Sequence, residues 1–187
     1  MQEKSAEQER FEKSAPIERE VVYQGRTIAL RCDTLTKADG SRKKWDIVVH
    51  PGAVVLVPIT DKKEVLLVKQ WRRAIGKRIL ELPAGTLEKG EPPESCAQRE
   101  LQEETGFRAG QIIPLGGFYS APGFCTEYLH LFLALGLEPA PLEPDDDEMI
   151  DRLFVPLRKI EQMIETGEIC DAKTIAGIHR YVQWSDR

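Results

Sequence analysis

The stretch that decides the fold is residues 85–107, GTLEKGEPPESCAQRELQEETGF. On a helix, Glu100 lies three residues from Glu103 and four from Glu104, so the three carboxylates project towards one side. Like charges at this spacing repel by about 0.2–0.5 kcal/mol per pair, and Arg99 offsets only part of the cluster. A hard divalent cation such as Mg²⁺, which binds carboxylates together with waters and substrate phosphates, would balance the remainder. The alternative is a solvated acidic face on a surface helix.

The overall charge argues against a polyanion-binding surface. The 187 residues include 26 Lys and Arg against 31 Asp and Glu, a formal charge of -5. A nucleic-acid binder normally carries a basic stripe, so we expect no nucleic-acid partner. A small anionic substrate remains compatible with this balance, because local charge and a metal can bind it.

The remaining composition predicts a cytoplasmic protein without a membrane segment. The four cysteines are scattered and form no C-x-x-C pair, and the three histidines have no zinc-ligand spacing. The first sixteen residues, MQEKSAEQERFEKSAP, lack the apolar core of a signal peptide. The longest apolar stretch, residues 129–137, is too short to cross a bilayer and is interrupted by His130.

Three regions are predicted along the chain. Residues 1–17 are expected to be a flexible charged tail, because they contain too few apolar side chains to offset the entropy of ordering. Residues 18–50 are predicted to be a strand region whose hairpin turn is Ala38-Asp39-Gly40-Ser41. Residues 51–187 form the main domain, in which residues 53–59 are a nearly unbroken apolar run typical of a strand buried on both faces.

Helices and strands alternate in that main domain. Further strands are predicted at 65–68, 79–82, 112–119, 128–134 and 153–155. One helix should begin at Pro92-Pro93 and end at Gly106, a second should span about 157–166, and Asp171 should cap a third. The acidic stretch at 143–148 should be a loop. These elements predict an α/β (α+β) domain with an N-terminal β-hairpin extension.

The spacing in residues 85–107 resembles the Nudix box, G-x5-E-x7-R-E-U-x-E-E-x-G-U, in which U is apolar. Nine specified positions at fixed separations make a strong signal. They are matched by Gly85, Glu91, Arg99, Glu100, Leu101, Glu103, Glu104, Gly106 and Phe107. The resemblance implies the Nudix fold, a mixed sheet sandwiched between helices, with this segment as its metal site.

The same resemblance implies roles for the residues of the box. Glu100 and Glu104 would be the principal Mg²⁺ ligands, Glu103 a third, and the backbone carbonyl of Ala84 an additional one. Mn²⁺ is the alternative ion. Arg99 would orient the glutamate carboxylates, and Glu91 would support the loop.

Outside the box, residues 21–184 are similar to the ADP-ribose pyrophosphatase branch of the family. The segments Lys69-Gln70-Trp71-Arg72 and Glu81-Leu82-Pro83-Ala84-Gly85 carry the likeness. It implies that Arg72 contacts substrate phosphate, as a guanidinium can; the alternative is a surface cation. Glu81 would bind ribose hydroxyls or pair with a nearby Lys or Arg.

Three further segments carry the same resemblance. Ser120-Ala121-Pro122-Gly123 with Glu127 resembles a substrate-binding turn, although Pro122-Gly123 alone is compatible with an ordinary turn. Glu148, in the acidic loop, would activate the attacking water, ahead of Glu103 and Glu127; such runs are otherwise solubilising. Trp45 would stack on adenine or pack across strands.

The resemblance therefore implies hydrolysis of a small nucleoside diphosphate derivative, ADP-ribose, to AMP and ribose 5-phosphate. Three alternatives stay open: the same chemistry on GDP-mannose or another nucleotide sugar, a non-catalytic nucleotide-sensing module on the Nudix fold, and a plain dimeric scaffold. The complete set of box carboxylates favours an enzyme. The branch also implies a homodimer whose N-terminal strands pair with the second subunit.

Overall fold

The computed structural model describes residues 2–142 and 149–187. Within these ranges the helices are α1 (Gln2–Ser14), α2 (Pro93–Thr105), α3 (Leu157–Glu165) and α4 (Ala172–Ser185). The strands are β1 (Ile17–Gln24), β2 (Ala29–Thr36), β3 (Arg42–Val49), β4 (Ala53–Pro58), β5 (Glu64–Arg72), β6 (Lys77–Glu81), β7 (Ala84–Thr86), β8 (Phe107–Tyr119), β9 (Tyr128–Pro139) and β10 (Asp151–Pro156). The chain forms two compact units, Met1–Pro51 with Ala121–Glu127, and Gly52–Ser120 with Tyr128–Arg187.

The first unit contains an antiparallel sheet in the order β1-β2-β3. The predicted hairpin joins β2 to β3: Lys37 N–H donates to Ser41 O at 2.8 Å, and Gly40 has the positive φ of 80° that this turn requires. Strand β1 pairs with β2 of that hairpin and was not predicted as a separate strand. The N-terminal extension is therefore a three-stranded sheet built around the predicted hairpin.

The N-terminal segment differs from the expected tail, because α1 is a helix over Gln2–Ser14. Local pairs one turn apart stabilise it: Gln8 donates to Glu12 at 2.9 Å, and Lys13 pairs with Glu9 at 2.6 Å. The expectation was based on the lack of apolar residues for a core. Hydrogen bonds within a helix need no core, which explains the difference.

The second unit contains two sheets, a mixed one in the order β7-β4-β9-β8 and an antiparallel one in the order β10-β5-β6. Strand β4 runs parallel to β9 and antiparallel to β7. A parallel pair requires a crossover connection, and the chain between β4 and β9 includes α2. The α/β class and the predicted strands are confirmed.

Strand β4 is buried along its whole length and divides the core into two layers. Val55 and Val57 belong to the cluster that includes residues of α3, α4 and the second sheet. Val54 and Leu56 point the opposite way, into a cluster with the buried face of α2. The mixed sheet is therefore packed between helices, and α2 lies against β4.

The helices begin and end where their capping residues predict. Helix α2 starts after Pro92 and ends at Gly106, whose φ of 74° allows its N–H to donate to Gln102 O at 2.9 Å. Asp171 caps α4 by accepting from Thr174 N–H at 2.9 Å. These caps fix the first turn of α4 and the last turn of α2.

Candidate active site

Arg99 is bonded to three carboxylates on one face of α2 and the loop before it. Its Nε and Nη2 donate to the two oxygens of Glu91, both at 2.9 Å. Its Nη1 donates to Glu100 at 2.8 Å and to Glu103 at 2.9 Å. The bidentate pair with Glu91 uses the planar shape of the guanidinium, which a lysine could not reproduce.

Glu91 closes the loop that leads into α2. The hydrogen bonds from Arg99, and the N–H of Glu88 that donates to it at 3.0 Å, lower the pKa of the Glu91 carboxyl to about 2, although burial opposes the shift. The pKa of Arg99 is raised, chiefly by its bonds with Glu91. The pair is therefore ionised at every ordinary pH.

Cys96 lies in the same network and is fully buried. Its thiol donates to Thr86 O at 3.7 Å and accepts from Arg99 Nη2 at 3.3 Å. Burial raises the pKa of Cys96 to about 12. A thiol that keeps its proton is not a nucleophile, so Cys96 has a packing role.

Two glutamates of α2 reach back to strand β7. Glu104, which is 2% exposed, accepts from Ala84 N–H at 3.0 Å. Glu100 lies over Gly85, where a Cβ atom would stand 1.7 Å from its Cδ. Both carboxylates thus converge on the two-residue stretch Ala84-Gly85. The resemblance implies that the Ala84 carbonyl is a further ligand.

The residues present fit a hard divalent cation in chemistry. Glu100, Glu103, Glu104 and the Ala84 carbonyl offer oxygen atoms alone, the donor type that Mg²⁺ prefers. Among the described residues, no three His, Cys, Asp or Glu side chains already form a finished centre. In this structure the carboxylates of Glu100 and Glu103 both accept hydrogen bonds from Arg99 Nη1.

Glu81 forms a second charged group at the end of β6. Its side chain is 3% exposed and accepts from Arg72 Nε at 2.7 Å and from Lys173 Nζ. Lys173 also bonds Asp171 at 3.1 Å. The pairing of Glu81 with cations, one of its two predicted roles, is present in the structure. The binding of ribose hydroxyls stays a prediction. Sequence reasoning missed Lys173, since no local pattern links residues 92 positions apart.

Arg72 lies on β5 beside an open groove of about 810 Å³ that is lined also by Lys77 and Asp171. Burial lowers the pKa of Arg72, but the hydrogen bond with Glu81 and the charges of Glu81 and Glu104 outweigh it, so the pKa is raised. The guanidinium is permanently charged, and 39% of the side chain is exposed. It can therefore meet a phosphate from solution.

The other described candidate residues belong to the first unit. Trp45 lies on β3, with Lys43 Nζ 4.4 Å from its ring centre. The segment 121–127, which carries Pro122, Gly123 and Glu127, is bonded to the end of β3: Val48 N–H donates to Phe124 O at 2.8 Å. Glu127 lies 3.6 Å from the His50 imidazole. Glu148 lies outside the described residues.

Comparison with known proteins supplies the family. The model of the NUDIX domain matches residues 49–177, more than half of the chain. The chain belongs to the Nudix family. It is 40% identical to the ADP-ribose pyrophosphatase of Bacillus subtilis (strain 168), over 89% of this chain and 91% of that protein.

Two further likenesses cover most of this Nudix protein. It is 34% identical to the GDP-mannose pyrophosphatase of Citrobacter koseri (strain ATCC BAA-895 / CDC 4225-83 / SGSC4696), over 73% of this chain and 80% of that one. The crystal structure of an ADP compounds hydrolase superposes with a TM-score of 0.81 at 25% identity, covering 91% and 93% of the two chains. The predicted fold is confirmed.

Membership also establishes the class of reaction. Nudix hydrolases cleave nucleoside diphosphate derivatives and generally need a divalent cation, usually Mg²⁺. The prediction of an enzyme of this class is confirmed.

Within the described ranges, no helix has both the length and the apolar character needed to cross a membrane.

Proposed function

We propose that this Nudix hydrolase cleaves the pyrophosphate bond of ADP-ribose, giving AMP and ribose 5-phosphate. The observation that carries the proposal is the convergence of Glu100 and Glu104 on Ala84-Gly85, in the unit that also contains Arg72. The relative with 40% identity is named an ADP-ribose pyrophosphatase. A GDP-mannose pyrophosphatase at 34% identity makes GDP-mannose the second candidate substrate.

Glu100, Glu103, Glu104 and the Ala84 carbonyl would bind Mg²⁺, with Mn²⁺ as the alternative ion. When bound, the cation neutralises charge on the pyrophosphate and lowers the pKa of a coordinated water. Arg99 orients two of these carboxylates through Nη1 and is itself fixed by Glu91. Arg99 and Glu91 therefore support the proposed metal ligands from within the box.

Arg72 would bind a phosphate of the substrate while Glu81 keeps its guanidinium in place. In the reaction, a water oxygen forms a bond to one phosphorus, the bridging P–O bond breaks, and the leaving phosphate takes the electron pair. A carboxylate accepts the proton of the water. We assign this role to Glu148, with Glu103 and Glu127 as the other candidates. Positioning and electrostatics then supply most of the rate acceleration.

We propose Trp45 as the residue that stacks on adenine and the turn at Pro122-Gly123 as a further substrate-binding segment, as the resemblance to the branch implies. We propose a homodimer in which residues 18–50 pair with the partner. The protein would work in the cytoplasm on a small molecule, without nucleic-acid or membrane partners.

A turnover screen tests this proposal. Purified protein with Mg²⁺ is assayed against ADP-ribose, GDP-mannose and dinucleoside polyphosphates, with products identified by chromatography. We expect the largest kcat/KM for ADP-ribose and equal amounts of AMP and ribose 5-phosphate. A larger kcat/KM for GDP-mannose would overturn the substrate assignment, and binding without turnover of any of them would indicate the nucleotide-sensing alternative.

A further inference from the structure

Arg152, on strand β10, reaches the end of the carboxylate helix. Its Nε donates to the backbone carbonyl of Glu104 at 3.1 Å. Its guanidinium also covers Gly106, where a Cβ atom would stand 2.9 Å from Nη1. Sequence reasoning did not single out this arginine, which lies 48 residues from Glu104.

The contact is part of a wider packing between β10 and the residues that follow α2. Phe154, two residues after Arg152 and so on the same face of β10, meets Phe107 edge to face with ring centres 5.9 Å apart. Of the alternate residues, Val155 belongs to the hydrophobic core and Leu153 packs against it. Strand β10 therefore joins the end of α2 to the sheet that carries Arg72 and Glu81.

Arg152 satisfies a physical need at this end of the helix. The last carbonyls of a helix have no partner within it and carry partial negative charge. Gly106 N–H already bonds Gln102 O, and Arg152 supplies a charged donor to the carbonyl of Glu104. The carboxylate of Glu104 is fixed from the other side by Ala84 N–H. Both ends of this residue are thus held by neighbouring strands.

We propose that Arg152 is a positioning residue for the metal site: by binding the Glu104 carbonyl and covering Gly106, it fixes the Glu104 carboxylate relative to β7. The inference rests on the proposed function, in which Glu104 is a metal ligand. In this role Arg152 would act on the metal only through Glu104. Its loss should therefore weaken metal binding in the absence of any substrate.

The test compares Arg152→Met and Arg152→Lys with Arg108→Met. Met keeps the apolar stem without the donors, and Lys keeps one charged donor but not the planar group over Gly106. Arg108 is the matched control, because it lies on β8 next to the box and bonds only the exposed Glu138 among the contacts described for it, at 2.6 and 3.1 Å. Mg²⁺ affinity is measured by calorimetry on substrate-free protein, alongside Tm and the Mg²⁺ dependence of turnover.

We expect Arg152→Met to raise the Kd for Mg²⁺ by about 10–100-fold, the range seen when a residue supporting a metal ligand is removed. Arg152→Lys should lie between that variant and the wild type, and Arg108→Met should match the wild type. A lower Tm with an unchanged Kd would overturn the proposal, because a merely structural role predicts that result. If the Met variant does not fold, the Lys variant decides on the same criterion.

The failure of the proposed function has a different outcome. If the wild-type protein neither binds Mg²⁺ nor turns over any nucleoside diphosphate derivative, both proposals fall. If the wild type does both and the Arg152 variants bind Mg²⁺ equally well, the role of Arg152 alone is wrong.

Discussion

The carboxyl group of Glu100 rests on the backbone of Gly85: a Cβ atom at residue 85 would stand 1.7 Å from Glu100 Cδ and 2.0 and 2.2 Å from its two oxygens. Real Cβ atoms do not approach other atoms so closely. The φ of Gly85 lies outside the positive range, so its backbone conformation does not require glycine. Glycine is required there because a side chain would occupy the space of the Glu100 carboxylate. Gly85, the first residue of the box, and the Glu100 carboxylate are therefore packed directly against each other.

Replacing Gly85 with Ala should displace Glu100 and lower kcat at least about a hundredfold, because removing one preorganised electrostatic group costs roughly that much. Gly110→Ala is the control, since a Cβ atom there would stand 3.4 Å from its nearest neighbour. Turnover and Tm are measured for both. Wild-type turnover in Gly85→Ala would show that Glu100 tolerates displacement, and the pair would then not be essential.

Glu104→Gln tests the metal assignment with little change of shape. The amide oxygen can still accept from Ala84 N–H, but a neutral group offsets a dication poorly, so turnover should fall at least about a hundredfold. Glu94→Gln, on the exposed first turn of the same helix, should leave turnover unchanged. Near-normal turnover in a folded Glu104→Gln variant would exclude Glu104 as a principal ligand.

Glu91 should make stability depend on pH below the neutral range. Its pKa falls from an ordinary value of 4.5 to about 2 in the folded protein. The stabilisation is therefore complete above pH 4.5 and is lost as the pH falls towards 2. Glu91→Gln removes a charged pair and should lower the free energy of unfolding by about 1–3 kcal/mol at neutral pH.

Denaturant unfolding of the wild type and of Glu91→Gln, in the absence of Mg²⁺, measures this difference. It should shrink between pH 4.5 and pH 2, as the wild-type carboxylate takes up its proton. A constant difference over that range would mean that the pair with Arg99 does not set the pKa of Glu91.

The sequence predicted the parts of the molecule that depend on local pattern. The apolar run at 53–59 became the buried strand β4, and Pro92 and Gly106 bound α2, because burial on two faces and helix capping act over a few residues. The bonds of Arg99 to the carboxylates of Glu91, Glu100 and Glu103 span at most eight residues along the chain, and helical spacing sufficed to predict the pair with Glu103.

Contacts between segments that are distant in the sequence could not be predicted. Glu81 meets Lys173 across 92 residues, and Arg152 meets Glu104 across 48. In the sequence, Lys173 and Arg152 both resemble ordinary surface cations, because the charge of a residue does not indicate which residue it will pair with. The bonds between the segment 121–127 and the end of β3 likewise depend on the whole fold.

We expect the protein to be a homodimer through its N-terminal sheet. Strand β1 pairs on one side with β2 and exposes Val21, Val22 and Tyr23 by 58%, 59% and 61%. The free edge of an exposed apolar strand can form backbone hydrogen bonds with a strand of a second chain, which would also cover the apolar side chains. Light scattering should give about twice the chain mass of 21.2 kDa.

Val22→Lys should shift that mass towards the single chain, while Val182→Lys, at an exposed apolar position on α4, should not. A wild-type protein that is monomeric at micromolar concentration would refute the prediction.

Glu148 is the carboxylate that we expect to accept the proton of the attacking water. Glu103 is a weaker candidate, because its carboxylate already accepts from Arg99 at 2.9 Å and is a proposed ligand of the metal. Glu127 also lies outside the box, and its carboxylate is 3.6 Å from the His50 imidazole. Glu148 lies outside the box, in the acidic segment to which the resemblance assigns activation of the attacking water. We therefore expect kcat at saturating Mg²⁺ to fall about 10²–10⁴-fold in Glu148→Gln, the usual contribution of a general base, with the affinity for a non-hydrolysable analogue little changed. Glu127→Gln is measured in parallel, and a Glu148→Gln variant that keeps most of its kcat while Glu127→Gln or Glu103→Gln loses it would reassign the base.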